Sequence, residues 1–170
     1  MGKKYFWLVL SLILIIGLIV FNIFRAPYFL KKNKAGFLCP LPKKYCSRGK
    51  TISYKDYYLG VGWKVPAGTP ISAVFSGQTK GGRVSYSEEI GGGRFPTILL
   101  IGDDGVYEVT YVLTGNDYQG INDIEKGEKI ETVRDSSVAD LNVNLLVTIY
   151  KKENGQKTPL YLKISDFSNK

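Results

Sequence analysis

Residues 57–77 read YYLGVGWKVPAGTPISAVFSG. Their second half is a frame of turn and strand. Pro66 and the Ala67-Gly68 turn lead into a short strand from Pro70 to Phe75, and Ser76-Gly77 closes it. The first half holds no His, Asp or Glu. The stretch therefore has the build of an active-site entrance without the reagents.

The same strand-and-turn grammar runs on toward the carboxyl end. Gln78 to Ser87 alternates as a strand, and Glu88 to Arg94, with Gly91-Gly92-Gly93, reads as a loop. Thr97 to Ile101 is an apolar strand, Gly102-Asp103-Asp104-Gly105 a hairpin turn, and Val106 to Thr114 the returning strand. Ile121 to Val133 turns at Lys126-Gly127-Glu128; Asn142 to Lys151 is a long strand and Leu160 to Ile164 a last short one. No stretch here carries a helical period, so residues 57–166 are expected to be all-β, a two-sheet sandwich or partly open barrel.

Upstream the composition changes twice. Residues 25–56 are rich in Lys, Pro, Gly and Ser and read as a basic linker. Residues 5–24, YFWLVLSLILIIGLIVFNIF, are uncharged throughout. At 1.5 Å per residue they reach about 30 Å, the thickness of a bilayer core. Phe24-Arg25-Ala26-Pro27 offers no small-x-small cleavage site, so the segment reads as an uncleaved transmembrane helix and signal anchor rather than a removed leader.

Of the 23 Lys and Arg, ten lie in residues 1–50, where no acidic residue occurs; all 15 Asp and Glu lie beyond. The formal charge of +8 therefore belongs to the anchor and stalk. That argues against a nucleic-acid-binding domain, whose positive patch would sit on the folded part. It suits a stalk beside anionic headgroups or an anionic envelope polymer. The basic flank Arg25 to Lys44 would by itself hold the domain in the cytoplasm. Cys39 and Cys46 pull the other way: paired, they would persist only outside a reducing cytosol, and left as free thiols they would say nothing. The expectation is a single-pass cell-membrane protein with its domain on the extracytoplasmic side.

The chain has no histidine. The common general base, the common zinc ligand and every Ser-His or Cys-His pair are thereby absent. Asp103 and Asp104 read as turn residues; Glu88 and Glu89 are adjacent and would face opposite ways on a strand. Ser47-Arg48-Gly49-Lys50 spells S-x-x-K without its companion motifs, and the glycine run lacks the strand-loop-helix setting of a phosphate cradle.

Pro66-Ala67-Gly68-Thr69-Pro70-Ile71-Ser72-Ala73-Val74-Phe75-Ser76-Gly77 resembles the P-x-G-T-P-V-x-A-x-x-x-G pattern of the lysostaphin-type (LytM-like) zinc endopeptidases, which cut peptidoglycan cross-bridges. Ile98 to Leu113 resembles that family's strand, turn and Y-x-H strand. Ile124 to Ile130 resembles its V-x-x-G-x-x-I turn, Leu141 to Leu145 its H-x-H strand, and Thr158-Pro159-Leu160 its closing D-P. The resemblance spans residues 57–164 and implies a β domain of the duplicated hybrid motif type. Matched by position, the zinc-binding His and Asp fall on Tyr58 and Gly62, the H-x-H pair on Asn142 and Asn144, and the further His on Leu113. None supplies a zinc-ligating nitrogen, sulfur or carboxylate, and without the metal no water is activated.

The resemblance therefore implies a pseudoenzyme with no metal and no cofactor. It would be a membrane-anchored, peptidase-like domain whose degenerate groove, lined by Tyr58, Gly62, Leu113, Asn142 and Asn144, binds peptidoglycan or an envelope protein. Its other partner would be the lipid bilayer, through residues 5–24. A hybrid-barrel interaction module unrelated to the cell wall and a non-metal hydrolase are the competing expectations.

Overall fold

A computed structural model describes residues 36–168. The expected anchor at 5–24 and the first part of the linker lie outside the described residues. Among the described residues no helix is long and apolar enough to cross a membrane.

The domain is strand-rich, as an all-β reading expects. Its elements are β1 (Phe37–Leu38), α1 (Lys43–Cys46), β2 (Lys50–Tyr54), β3 (Tyr57–Trp63), β4 (Pro70–Ser72), β5 (Gly77–Ser85), β6 (Arg94–Gly102) and β7 (Tyr107–Val112). There follow β8 (Ile121–Ile124), β9 (Lys129–Thr132), β10 (Leu145–Glu153), β11 (Gln156–Pro159) and β12 (Phe167–Ser168). Eight strands form one sheet in the order β2-β3-β10-β7-β6-β5-β8, with β11 on the far half of β10. Two small ladders complete the fold, β4 with β9 antiparallel and β1 with β12 parallel.

Side chains directly opposite in neighbouring strands share a face. One face of the large sheet carries Val61, Trp63, Leu145, Ile149, Val109, Tyr111, Ile98 and Leu100, all with no exposure. Tyr111 reaches from it into the β4 layer, where its hydroxyl accepts the Val74 N–H at 3.0 Å and donates to the Ser72 carbonyl at 3.4 Å. This is the dry core. The other face carries Gly62, Leu146, Val112 and Thr97 in one row and Thr148, Thr110 and Leu99 in the next. It holds the candidate site.

The fold begins ahead of Tyr57. β2 pairs along β3, so a boundary at residue 57 falls in the turn of a hairpin. Residues 37–46 are also built in. Phe37, Leu38, Leu41 and both cysteines are buried, and Cys39 and Cys46 are joined as a disulfide with their Cα atoms 6.0 Å apart. The linker reading covers these residues because an edge strand such as Lys50–Tyr54 buries only Ile52, and its Lys and Ser composition looks like a stalk.

Other boundaries shift for local reasons. β10 starts at Leu145, after a turn in which Asn142 takes left-handed angles (φ 52, ψ 38). The strand that follows β10 is Gln156–Pro159 rather than Leu160 to Ile164, because Asn154-Gly155 (φ 51 and 79) folds it straight back onto β10. The Lys126-Gly127-Glu128 turn joins β8 and β9, which belong to different sheets, so it is a crossing between layers. The Asp104-Gly105 hairpin forms as expected, with the Asp104 carboxylate accepting the Val106 N–H at 2.9 Å.

Candidate functional site

Three of the five candidate positions gather around the segment 134–144, which crosses the second face of the large sheet. Gly62 lies under Val143. A Cβ added at Gly62 would stand 2.8 Å from Ile52 Cγ1 and 2.9 Å from Val143 Cγ1. The glycine is thus the floor of an apolar cluster made by Ile52, Val112, Val138, Val143 and Leu146, with Leu59, Val84, Tyr86, Phe95 and Leu141 packed against it. The space above Gly62 is filled with hydrocarbon.

Asn144 is fully buried and its amide is wholly engaged. Its oxygen accepts the Val65 N–H at 3.0 Å. Its nitrogen donates to the Val65 carbonyl at 2.7 Å and to the Arg134 carbonyl at 3.0 Å. The side chain thereby acts as one rung of a ladder, tying the end of β3 to the crossing segment. Asn142 is exposed and precedes the strand. Expected to open a strand that also holds Asn144, it lies ahead of β10 in a left-handed turn; Asn is among the residues that tolerate that conformation.

Leu113 is buried and lines a small polar cleft with Thr97, Thr114, Glu131 and Arg134, beyond the end of β7. Tyr58 stands apart from the rest. A bulge pairs Ile52 with Gly60 but Ser53 with Tyr58, leaving Leu59 as the extra residue. Leu59 turns into the apolar cluster, and Tyr58 turns to the opposite side. There its hydroxyl accepts the Leu162 N–H at 3.2 Å and donates to the Leu162 carbonyl at 3.4 Å, and its ring lies 5.0 Å from that of Tyr161. Burial lifts its pKa above that of an ordinary phenol, with the Leu162 N–H pulling the other way, so it stays a neutral O–H donor.

Beside the cluster the chemistry is that of neutral phenols and paired charges. Burial raises the Tyr86 and Tyr150 hydroxyls as well. Glu108, nearly buried, is held by Lys157 at 2.5 Å. At the outer rim, hydrogen bonds from Lys55 (3.0 Å) and Tyr54 (2.9 Å) hold the Glu89 carboxyl below its ordinary range. Among the described residues no three His, Cys, Asp or Glu side chains stand together as a metal site. Sequence reasoning passed over Val138, Leu141 and Val143, which fill the site, and Tyr161. The spaced apolar residues in a polar loop were the available signal for the first three, and the alternation Leu160-Tyr161-Leu162-Lys163 for the last.

No protein-family model and no curated protein matches the chain. Among solved structures it is similar to the catalytic domain of the antimicrobial peptidase lysostaphin from Staphylococcus simulans, crystallized in the absence of phosphate. The identity is 21%, covering 65% of this chain and 84% of that one, with a TM-score of 0.45. It is also similar to a structure of the antimicrobial peptidase lysostaphin from Staphylococcus simulans, at 19% identity over 71% of this chain, with a TM-score of 0.46. The chain covers 51% of that longer protein.

Proposed function

We propose that the domain is a non-catalytic, peptidase-like binding domain, held at the cell membrane by residues 5–24 and turned toward the extracytoplasmic envelope. Its ligand would be peptidoglycan or an envelope protein. One observation carries the reading: Gly62 and Asn144, which the resemblance sets at zinc-ligand positions, are put to structural use. Gly62 makes room for Val143, and Asn144 spends its amide on backbone groups. A hydrolase of this type needs an open ligand position on a metal and a polarised water. A packed apolar cluster supports neither.

Zinc loading followed by elemental analysis, with a peptidoglycan turbidity assay alongside, tests the catalytic half. The expected result is no stoichiometric zinc and no clearing; either one overturns the reading. Retention of the full chain on cell-wall fragments, compared with a peptide of residues 25–50, tests the binding half. Retention no greater than that of the basic peptide removes it. Sidedness is tested with a membrane-impermeant thiol reagent on intact cells. Labelling of Cys39 and Cys46 only after reduction is expected, and labelling only after lysis places the domain in the cytoplasm.

A further inference from the structure

A second concave surface lies on the side of the β2–β3 hairpin away from the apolar cluster. It is a cleft of roughly 250 Å3 lined by Thr51, Ser53, Asp56, Tyr58, Tyr161 and Lys163, and also by Lys55 and Leu162. Tyr161 is 73% exposed, one of three large apolar side chains among the described residues left so open. It is not a loose residue. The Leu160 N–H before it donates to the Ile149 carbonyl at 2.8 Å. The Leu162 N–H after it is shared between the Leu160 carbonyl at 2.9 Å and the Tyr58 hydroxyl. The main chain on both sides of the ring is pinned, and the Tyr58 ring backs it at 5.0 Å. With its main chain pinned and one side backed by Tyr58, the Tyr161 ring leaves an aromatic face in water on which a ligand can stack.

What surrounds the ring narrows the ligand. Thr51 and Ser53 present hydroxyls that donate and accept. Asp56 adds an acceptor and Lys163 a donor, of opposite charge, so no net field favours an anion or a cation. Lys55 is already engaged by Glu89 at 3.0 Å. A single lining carboxylate is too few for a metal. The aliphatic lining is one leucine, too little for a hydrophobic peptide anchor. An aromatic plane ringed by neutral and mixed-charge hydrogen-bonding groups matches a molecule with one flat C–H face and hydroxyls around its edge. We infer that the Tyr58–Tyr161 cleft is a saccharide-binding site, taking about one or two pyranose rings, since it falls just short of the ~300–1,000 Å3 of drug-sized pockets. The inference deepens the binding half of the proposed function. It names the ligand class and moves its seat from the filled site to the opposite side of the hairpin.

The full chain in detergent micelles, titrated with an N-acetylglucosamine tetrasaccharide and followed by amide chemical shifts, tests it. Shifts are expected at residues 51–58 and 161–163. Tyr161→Ala, an exposed position that spares the fold, should weaken binding about tenfold, as loss of an aromatic platform does. Tyr161→Trp should retain binding, and Tyr57→Ala, exposed on the other side of the hairpin, should leave it unchanged. Absence of saccharide shifts, shifts elsewhere, or undiminished binding by Tyr161→Ala overturns the inference. So does a response to an extended alternating Thr-Val peptide and not to the sugar, which would make the free edge of β2 a peptide-pairing site. If the sugar fails while cell-wall fragments still retain the protein, only the saccharide assignment falls. If retention fails too, the proposed function falls with it.

Discussion

The two faces of the large sheet solve different problems with the same strands. The core face is uniform: Val61, Trp63, Tyr111, Leu145 and their neighbours are shut off from water, and a few hydrogen bonds such as those of Tyr111 register it against the β4 layer. The second face is mixed. Threonines and Glu108 share it with an apolar cluster that one crossing segment, 134–144, presses onto Gly62. A face used for packing tolerates no free polar group. A face built for chemistry must keep some exposed. Here the second face is locally a packing face, where the crossing segment covers Gly62.

The comparison can be broken most forcefully at the residue that joins the two regions. Asn144→Ala strands the Val65 N–H and the Val65 and Arg134 carbonyls. It should cost roughly 3–5 kcal/mol in chemical denaturation and loosen the crossing segment as seen by amide exchange. Gly62→Ala attacks the second face alone. Its methyl group meets Ile52 and Val143, so about 2 kcal/mol should be lost by overpacking. Adding Val143→Ala should return part of that loss, a coupling that independent sites would lack. Were Gly62→Ala silent, the site would be open space and the contrast between the faces would dissolve.

Tyr111→Phe probes the core face. The buried Val74 N–H and the half-buried Ser72 carbonyl lose their partner, for about 1–2 kcal/mol, with no effect on the second face. The smallest effect belongs to Glu89→Gln at the rim, where denaturation at neutral pH should barely move. The sign with pH is set by the lowered carboxyl. Any stabilisation by the Lys55 and Tyr54 bonds is complete above the ordinary carboxylate range and is lost as pH falls through the depressed value. The wild-type and Glu89→Gln melting curves should therefore converge in acid.

Much of this architecture was legible in the residues. The apolar run Thr97 to Ile101, the Asp104-Gly105 turn and the alternating return strand form the β6–β7 hairpin because pattern and turn chemistry agree. The absence of histidine was legible too, and with it the lack of an imidazole anywhere in the chain. The apolar cluster over Gly62 was not. Val138, Leu141 and Val143 carry no period, and only the third dimension brings them over Gly62. The side on which Tyr58 emerges depends on a one-residue bulge that no alternation predicts. The amino-terminal clasp was hidden by its lysines, whose aliphatic stems and exposed edge position look like a stalk in one dimension.

Trp63 ties several of these pieces into one place. Its indole N–H donates to the Cys46 carbonyl at 3.1 Å, inside the disulfide loop, and its ring meets Phe167 edge-on at 5.8 Å. Gly49, between the loop and β2, leaves room for the indole, which a side chain there would strike. The entering segment, the edge hairpin and the last strand therefore all border one chromophore. The only other tryptophan, Trp7, lies in the apolar run. The domain thus carries its own optical gauge: reduction of the disulfide, detachment of the final strand or distortion of β3 would each alter the emission of a single buried indole.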